Sequence, residues 1–321
     1  MGAMLLLGPS VGPAHAQRFE TVGVRALGMG GAFVAVADDA TANYWNPAGL
    51  TRVQSSGVLE LQRSDTRLGA PTLEEGTNDL TTFVSLASPT VGLSYYRLRS
   101  WQVARVSGNG VGDSPASLSS LVTQHAGITL VQPLGAGVAL ATVLKAVHGT
   151  VAQGFGDGGA PVEDLFDQTS ALSGRSTTRL DLDLGVMVGV GAVRLGFVGR
   201  NLREPEFAVS DDATIRLRRR FRAGLSVRPS ETLVVAADVD LSIVATAEGP
   251  LRNIAVGVEQ RLGPLVVRGG GRWNVEADDL EPVIAFGFSA EVLSNFWLDG
   301  QVTRSRNDGD RGWGVSMRSG I

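Results

Sequence analysis

The sequence predicts an all-β protein: a 14-stranded antiparallel up-and-down transmembrane β-barrel with an N-terminal plug. From residue 57 onward, short segments alternate apolar and polar side chains and are separated by glycine, proline, asparagine, aspartate and serine. The links between these segments alternate between long and short, as in barrels with short periplasmic turns and longer outer loops. The segment before residue 57 lacks this alternation and is rich in small residues, which would fit inside a barrel.

Composition narrows the classes of protein before any motif is considered. Glycine makes up 42 of the 321 residues, the apolar fraction is 43%, and the formal net charge is −4. So much apolar material with so little net charge excludes a disordered chain. A pI near 5.5 without a basic tail gives no support to nucleic-acid binding. The absence of cysteine excludes disulfide scaffolds and thiolate metal sites.

The N-terminus predicts export from the cytoplasm. A short apolar run at Met4–Leu7 is followed by Ala14-His15-Ala16, the small-x-small pattern that signal peptidase cleaves. We therefore expect residues 1–16 to be a signal peptide, residues 17–56 the plug and residues 57–321 the barrel. An exported barrel of this kind belongs in the bacterial outer membrane, in contact with its lipid.

Fourteen segments fit the strand pattern, and most have the length of a tilted membrane-spanning strand. The segments are 57–67, 79–87, 90–99, 124–132, 136–148, 178–190, 193–201, 215–228, 232–244, 251–262, 265–273, 281–292, 296–305 and 311–320. The two longest links, 100–123 and 149–177, are predicted to be large outer loops.

Strand parity predicts four ion pairs on the polar face of the sheet. Counting outward from a tight turn gives the cross-strand partners in each hairpin. The turns are Gly191-Ala192, Gly263-Pro264 and Pro229-Ser230-Glu231, and the predicted pairs are Asp183–Arg200, Glu259–Arg268, Arg222–Asp238 and Arg220–Asp240. The side chains between these charged positions are mostly apolar and point to the opposite face of the sheet. This indicates a barrel with lipid outside and a charged lumen. A soluble sheet with a solvated polar face would show the same alternation.

The segment from Gly28 to Leu50 carries the most specific pattern in the chain. Its glycines permit a tight backbone path, and either aspartate of its Asp-Asp pair can cap a short helix at Ala40–Trp45. An Asn-Pro step then predicts a second helical turn with the asparagine as its cap. The residues of the pattern are Gly28, Gly30, Gly31, Asp38, Asp39, Asn46, Pro47, Ala48, Gly49 and Leu50.

This pattern resembles the N-terminal signature of the PorV/PorQ family, within the wider group of FadL-like outer-membrane barrels. The glycines, the paired aspartates and Asn-Pro-Ala-Gly-Leu occur in the family's order. The resemblance implies a 14-stranded barrel with an N-terminal hatch, and Asn46-Pro47-Ala48 matches the hatch motif. FadL-like members pass hydrophobic molecules, whereas PorV-like members serve type IX secretion. Unlike many barrels, the chain ends in Ile321 and not in an aromatic residue.

Two main functions follow from the resemblance. In the first, a secretion-associated protein docks secretion machinery or cargo proteins through the long outer loops. In the second, a passive channel admits a hydrophobic or amphipathic ligand such as a long-chain fatty acid. The arginine-rich lumen favours a plugged, ion-paired interior over an apolar tunnel. A purely structural outer-membrane protein is the third alternative.

No motif in the chain predicts catalysis, a cofactor or a metal site. Residues 154–159 fit the G-x-G-x-x-G pattern, but Ala160-Pro161 follows where a nucleotide-binding motif needs a helix. His125 and His148 are the only histidines after the signal, too few for a metal site built on histidine. We therefore expect a protein that is not an enzyme.

Overall fold

The computed structural model describes residues 22–68, 75–105, 115–210, 213–246, 249–276, 282–305 and 309–320. Within these ranges, fourteen strands form a closed antiparallel barrel, which confirms the predicted fold class. The predicted signal peptide lies outside the described residues. In the part of the chain that is described, no helix is long and apolar enough to cross a membrane.

Three short helical elements precede the wall of the barrel: α1 (Val24–Gly28), α2 (Ala42–Trp45) and a 3-10 helix (Pro47–Arg52). The first half of the wall consists of β1 (Ser56–Leu68), β2 (Glu75–Ala87), β3 (Val91–Arg105), β4 (Ala116–Gly135), β5 (Val138–Gly156), β6 (Arg175–Val190) and β7 (Val193–Arg200). Helix α3 (Val162–Ser170) lies in the link between β5 and β6.

The second half of the chain adds two small hairpins to the wall. In chain order it contains the hairpin β8 (Glu206–Ala208) and β9 (Thr214–Arg216), the wall strands β10 (Arg220–Ser230) and β11 (Leu233–Asp240), the hairpin β12 (Val244–Thr246) and β13 (Gly249–Leu251), and the wall strands β14 (Asn253–Leu262), β15 (Leu265–Asn274), β16 (Val283–Leu293), β17 (Phe296–Ser305) and β18 (Asp310–Gly320). Strand β18 pairs with β1, and this pairing closes the barrel.

Side chains alternate between the two faces of the wall. In β14, Ala255 and Glu259 are buried, whereas Val256 and Val258 between them are exposed. Exposed leucines, valines and phenylalanines continue this outer apolar belt around the wall. The belt is what a membrane-spanning barrel presents to lipid.

The strands reach further than predicted at the end of the barrel that carries the long links. Much of the predicted loops 100–123 and 149–177 belongs to β3, β4 and β5. In this extension of β4, Leu118 packs with Leu165 of α3 on one face of the strand. Leu121 packs with Phe207 of β8 on the opposite face. Because both faces carry apolar side chains, the alternation that marks a membrane strand is lost there. The sequence pattern therefore could not show the extension.

One predicted register is wrong. Arg222 of β10 lies opposite Asp240 of β11, at 2.7 Å between Nε and Oδ1, and not opposite Asp238. Arg220 lies opposite Arg200 of β7, and the cross-strand partner of Asp240 is Arg222. The ladder is irregular between Val227 and Ser230, where Pro229 has no N–H to donate. The shift is two residues, so both charged side chains still point inward.

Candidate functional site

The N-terminal segment, residues 22–53, lies against the inner wall of the barrel. Helix α1 contacts β15 to β18, and the 3-10 helix contacts β4, β5 and β6. Nearly every side chain of the segment is buried, with Arg52 as the exposed exception. The whole pattern from Gly28 to Leu50 therefore sits inside the barrel, between the charged side chains of its lumen.

Two of the glycines predicted to allow a tight path do so. Gly30 and Gly31 follow α1 with φ angles of 70° and 91°, in the left-handed region that favours glycine. Gly28 ends α1 and packs directly on Gly287 of β16, where a side chain on either residue would collide with the other backbone. These contacts bring the backbone of the segment against the backbone of the wall.

Glycines of the wall make room for the segment on eight of the described strands. A methyl group on any of them would come within about 3 Å of an atom of residues 22–53. At Gly257 and Gly270 the obstacle is the backbone of Met29, which cannot rotate away. This glycine row consists of Gly92, Gly185, Gly196, Gly224, Gly257, Gly270, Gly287 and Gly314.

Carboxylates of the wall hold the backbone of the segment. Asp238 accepts hydrogen bonds from the N–H groups of Phe33 and Val34, both at 2.8 Å. Glu60 accepts from the N–H of Gly23 at 2.9 Å, at the start of α1. The sequence pattern predicts a different partner for Asp238, and Glu60 was not among the predicted site residues. A carboxylate at an inward position of a strand was the only signal that marked Glu60.

Asn46 caps the 3-10 helix that begins at Pro47, as the sequence predicts. Its Oδ1 accepts from the N–H of Ala48 at 3.2 Å. Its Nδ2 donates to the carbonyl oxygens of Val34 and Val186, each at 3.0 Å. Because Val186 belongs to β6, the same side chain also fastens the segment to the wall.

Arg25 joins α1 to β14 of the wall. Its Nε and Nη2 donate to the two carboxylate oxygens of Glu259 at 2.7 Å and 2.6 Å. Its Nη1 contacts Asp38 at 2.7 Å and Asp39 at 2.9 Å. Glu259 also accepts from Arg268 at 2.6 Å, at the cross-strand position expected from the turn. The predicted pair is therefore part of a larger network centred on Arg25.

The two aspartates of the pattern have different surroundings. Asp39 accepts from the N–H of Thr41 at 2.9 Å. The predicted helix Ala40–Trp45 is shorter than expected, because α2 begins at Ala42. Neither aspartate caps α2, whose N-cap is Thr41 without a side-chain cap, so this prediction is wrong. Asp38 contacts the guanidinium groups of Arg228 and Arg194, the latter at 3.8 Å.

Asp183 and Arg200 lie together, with 3.6 Å between Oδ2 and Nε. Asp183 makes a shorter contact, 2.7 Å, with Nζ of Lys145, which also lies 3.1 Å from Asp181. Lys145, the only lysine in the chain, was not among the predicted site residues. A single lysine at an inward position of an otherwise apolar strand was the available signal.

Aromatic rings connect the wall to the N-terminal segment. The ring of His125 stacks on Tyr96, with 4.0 Å between centroids and 12° between planes. Tyr96 lies 5.5 Å from Tyr44, Tyr44 lies 6.1 Å from Trp45, and Trp45 lies 6.0 Å from Phe33. We call these five residues the aromatic ladder, because they form one continuous file from β4 to the segment.

An apolar cluster lies at the outer end of the ladder. The hairpin β8–β9 folds against the inner face of β4 and β5, and Phe207 lies over Gly149. Val147 of this cluster is the cross-strand partner of His125, so the cluster and the aromatic ladder adjoin. The members of this inner apolar cluster are Leu121, Val147, Val151, Phe207, Ile215 and Leu217.

Comparison with known sequences gives a short match. A family model described as F plasmid transfer operon, TraF, protein matches residues 161–240, about a quarter of the chain. No curated protein matches the sequence. The resemblance of Gly28–Leu50 to the PorV/PorQ family therefore stays a prediction.

Comparison with solved structures matches nearly the whole chain. The toluene transporter TbuX of Ralstonia pickettii is 14% identical, with a TM-score of 0.66 over 94% of this chain and 99% of that one. The toluene transporter TodX of P. putida is 11% identical, with a TM-score of 0.65 over 95% and 99%. A Pseudomonas aeruginosa FadL homologue is 10% identical, with a TM-score of 0.60 over 95% and 99%. The chain thus has the fold of the FadL/TodX-like 14-stranded outer-membrane barrels.

Proposed function

We propose that the protein is an outer-membrane channel through which small hydrophobic or amphipathic molecules pass. Support comes from the inner apolar cluster and the aromatic ladder, which together line one side of the lumen from the long-link end to the N-terminal segment. Apolar and aromatic side chains with a few polar groups are typical of sites for such ligands. The structures that share the fold include toluene transporters, which supports the same ligand class.

In this proposal the N-terminal segment acts as the hatch of the channel, with Asn46, Pro47 and Ala48 at its point of attachment. Ion pairs dominate the side of the lumen around Glu259 and Arg268. An apolar molecule there would displace water from charged groups without forming hydrogen bonds, so its binding would be unfavourable. The passage therefore follows β3, β4 and β5, where the aromatic ladder lies. Movement of the segment away from this side opens the route to the periplasm.

The test is uptake of radiolabelled toluene and oleate by a bacterial host that lacks its own barrel of this fold. Cells making the protein should take up at least one of the two compounds faster than cells with the empty vector. The variant Val147→Thr/Val151→Thr places two hydroxyls in the inner apolar cluster at nearly constant volume and should slow this uptake several-fold. The matched control, Val266→Thr/Val283→Thr, changes buried valines of β15 and β16 and should leave the rate unchanged.

Docking of export partners is the second candidate function, and the PorV/PorQ-like pattern from Gly28 to Leu50 favours it. Uptake equal to that of the empty vector would contradict the channel. If deletion of the gene in the source organism then lowered the amount of secreted cargo proteins, the docking function would replace it. Equal amounts of each variant in the outer-membrane fraction are required for either conclusion.

A further inference from the structure

Three arginines lie side by side on the outer face of the barrel, where the apolar belt ends on the side of the long links. Arg63 follows Leu61 on the outer face of β1, Arg304 follows Val302 on β17, and Arg311 precedes Trp313 on β18. All three side chains are exposed. We call Arg63, Arg304 and Arg311 the arginine patch.

The register brings the three guanidinium groups together. Arg304 and Arg311 are direct cross-strand partners, and Arg63 is the partner of Trp313, one outward position below Arg311. Asp65, the partner of Arg311, lies 3.4 Å from Arg63 and 4.0 Å from Arg311. In the described part of this face, two guanidinium groups therefore share one carboxylate.

Other exposed arginines toward the same end of the barrel are differently placed. Arg219 has its own partner in Glu204 at 3.2 Å, and Arg252 has Glu276 at 2.6 Å. Arg216 contacts Glu206 across the β8–β9 hairpin. These arginines belong to the links and hairpins beyond the belt, whereas the arginine patch sits on membrane strands at its edge.

We propose that the arginine patch binds the phosphate group of a lipid in the outer leaflet of the outer membrane. A barrel of this fold carries its short turns on the periplasmic side, so the edge of the belt at the arginine patch lies at the level of the outer headgroups. Guanidinium groups bind phosphate oxygens through paired hydrogen bonds, and the arginine patch places three of them together on the neighbouring strands β17, β18 and β1. Trp313 beneath them lies where interfacial aromatic residues pack against the lipid.

The experiment compares lipid binding by three purified proteins in nonionic detergent, measured by native mass spectrometry. They are the wild type, the variant Arg63→Gln/Arg304→Gln/Arg311→Gln, and the control Arg216→Gln/Arg219→Gln/Arg252→Gln, which removes the same charge elsewhere. The probes are lipid A, dephosphorylated lipid A and inorganic phosphate. A shift in electrophoretic mobility on heating verifies that each protein is folded.

The wild type and the control should bind lipid A and not its dephosphorylated form, and the patch variant should bind lipid A at least about tenfold more weakly. Equal binding of lipid A by the wild type and the patch variant would overturn the proposal. So would equal binding of phosphorylated and dephosphorylated lipid by the wild type. Inorganic phosphate that binds as tightly as lipid A, with the same loss in the patch variant, would show a site for the free anion and would also overturn it.

Discussion

At the scale of single residues, buried polar side chains inside the barrel fasten the N-terminal segment to the wall. Asp238 points into the lumen like its charged neighbours, yet its hydrogen bonds go to the backbone of the N-terminal segment. Asn46 is fully buried and joins the segment to itself and to β6. A buried donor or acceptor that loses its partner costs about 1–3 kcal/mol, so each of these side chains is hard to replace.

Replacement of Asn46 by alanine tests this cost directly. The change removes the cap of the 3-10 helix and leaves the carbonyl oxygens of Val34 and Val186 without this donor. We expect the free energy of unfolding to fall by about 2–4 kcal/mol, measured by urea denaturation in detergent. The segment should also become more sensitive to protease while the wall stays paired.

The control is Gln54→Ala, which changes an exposed side chain just beyond the segment. Its effect should stay within about 0.5 kcal/mol. Equal stabilities of Asn46→Ala and Gln54→Ala would mean that the hydrogen bonds of Asn46 add nothing to the attachment of the segment.

Single residues also show how far the sequence predicts the site. Glu259 and Arg268 could be paired by counting from one turn, because both lie in one hairpin. The same counting gives the wrong partner for Arg222, because the ladder is irregular between Val227 and Ser230. The bond from Arg25 to Glu259 spans 234 positions of the chain, and no local pattern predicts a contact at that separation.

At the scale of elements, the glycine row explains how a segment with so little regular structure is held. Each glycine removes a side chain at a point where the segment touches a strand, so backbone meets backbone. The abundance of glycine was visible in the composition, but its meaning was not. The alternation of side chains along a strand shows which glycines point inward. Only the path of the N-terminal segment shows at which strands an inward glycine is required for close contact.

Gly270 and Gly269 form a matched pair for testing this fit. They are neighbours in β15, but a methyl group at Gly270 would collide with the backbone of Met29, whereas one at Gly269 meets nothing within 4 Å. We expect Gly270→Ala to destabilise the protein by about 1–3 kcal/mol and to expose the segment to protease. Gly269→Ala should do neither, as urea denaturation and limited proteolysis will show.

A second comparison separates the fit of the segment from the intrinsic cost of alanine in the strand. In a chain that lacks residues 22–53, Gly270→Ala and Gly269→Ala should have equal effects on electrophoretic mobility and unfolding, provided that this chain forms a barrel. A penalty for Gly270→Ala that persists in this chain would place its cause within the wall and not in contact with Met29.

At the scale of the whole molecule, the lumen has two unlike sides. Arg25, Glu259 and Arg268 form a dense ionic network against β14 and β15. On the side of β3, β4 and β5, aromatic and aliphatic side chains reach from the β8–β9 hairpin to the N-terminal segment. The ion pairs that hold the segment lie at β14 and β15, whereas those of Lys145 and Arg200 with Asp183 border the aromatic ladder. A ligand of low polarity would therefore meet the segment at the ladder itself.

Closure of the wall predicts how the intact protein behaves. Every wall strand in the described chain has a neighbour on both sides, because β18 pairs with β1. A closed barrel has no free edge strand from which unfolding could begin, so a wall strand can leave only after the pairings on both its sides are broken. We expect the unheated protein to stay folded in sodium dodecyl sulfate and to migrate differently after boiling. We also expect it in the outer-membrane fraction of cells.

As a control, removal of residues 310–320 deletes β18 and should abolish the heat-dependent shift. Recovery of the wild type in the soluble periplasmic fraction after gentle lysis, with no shift on heating, would contradict a membrane-spanning barrel.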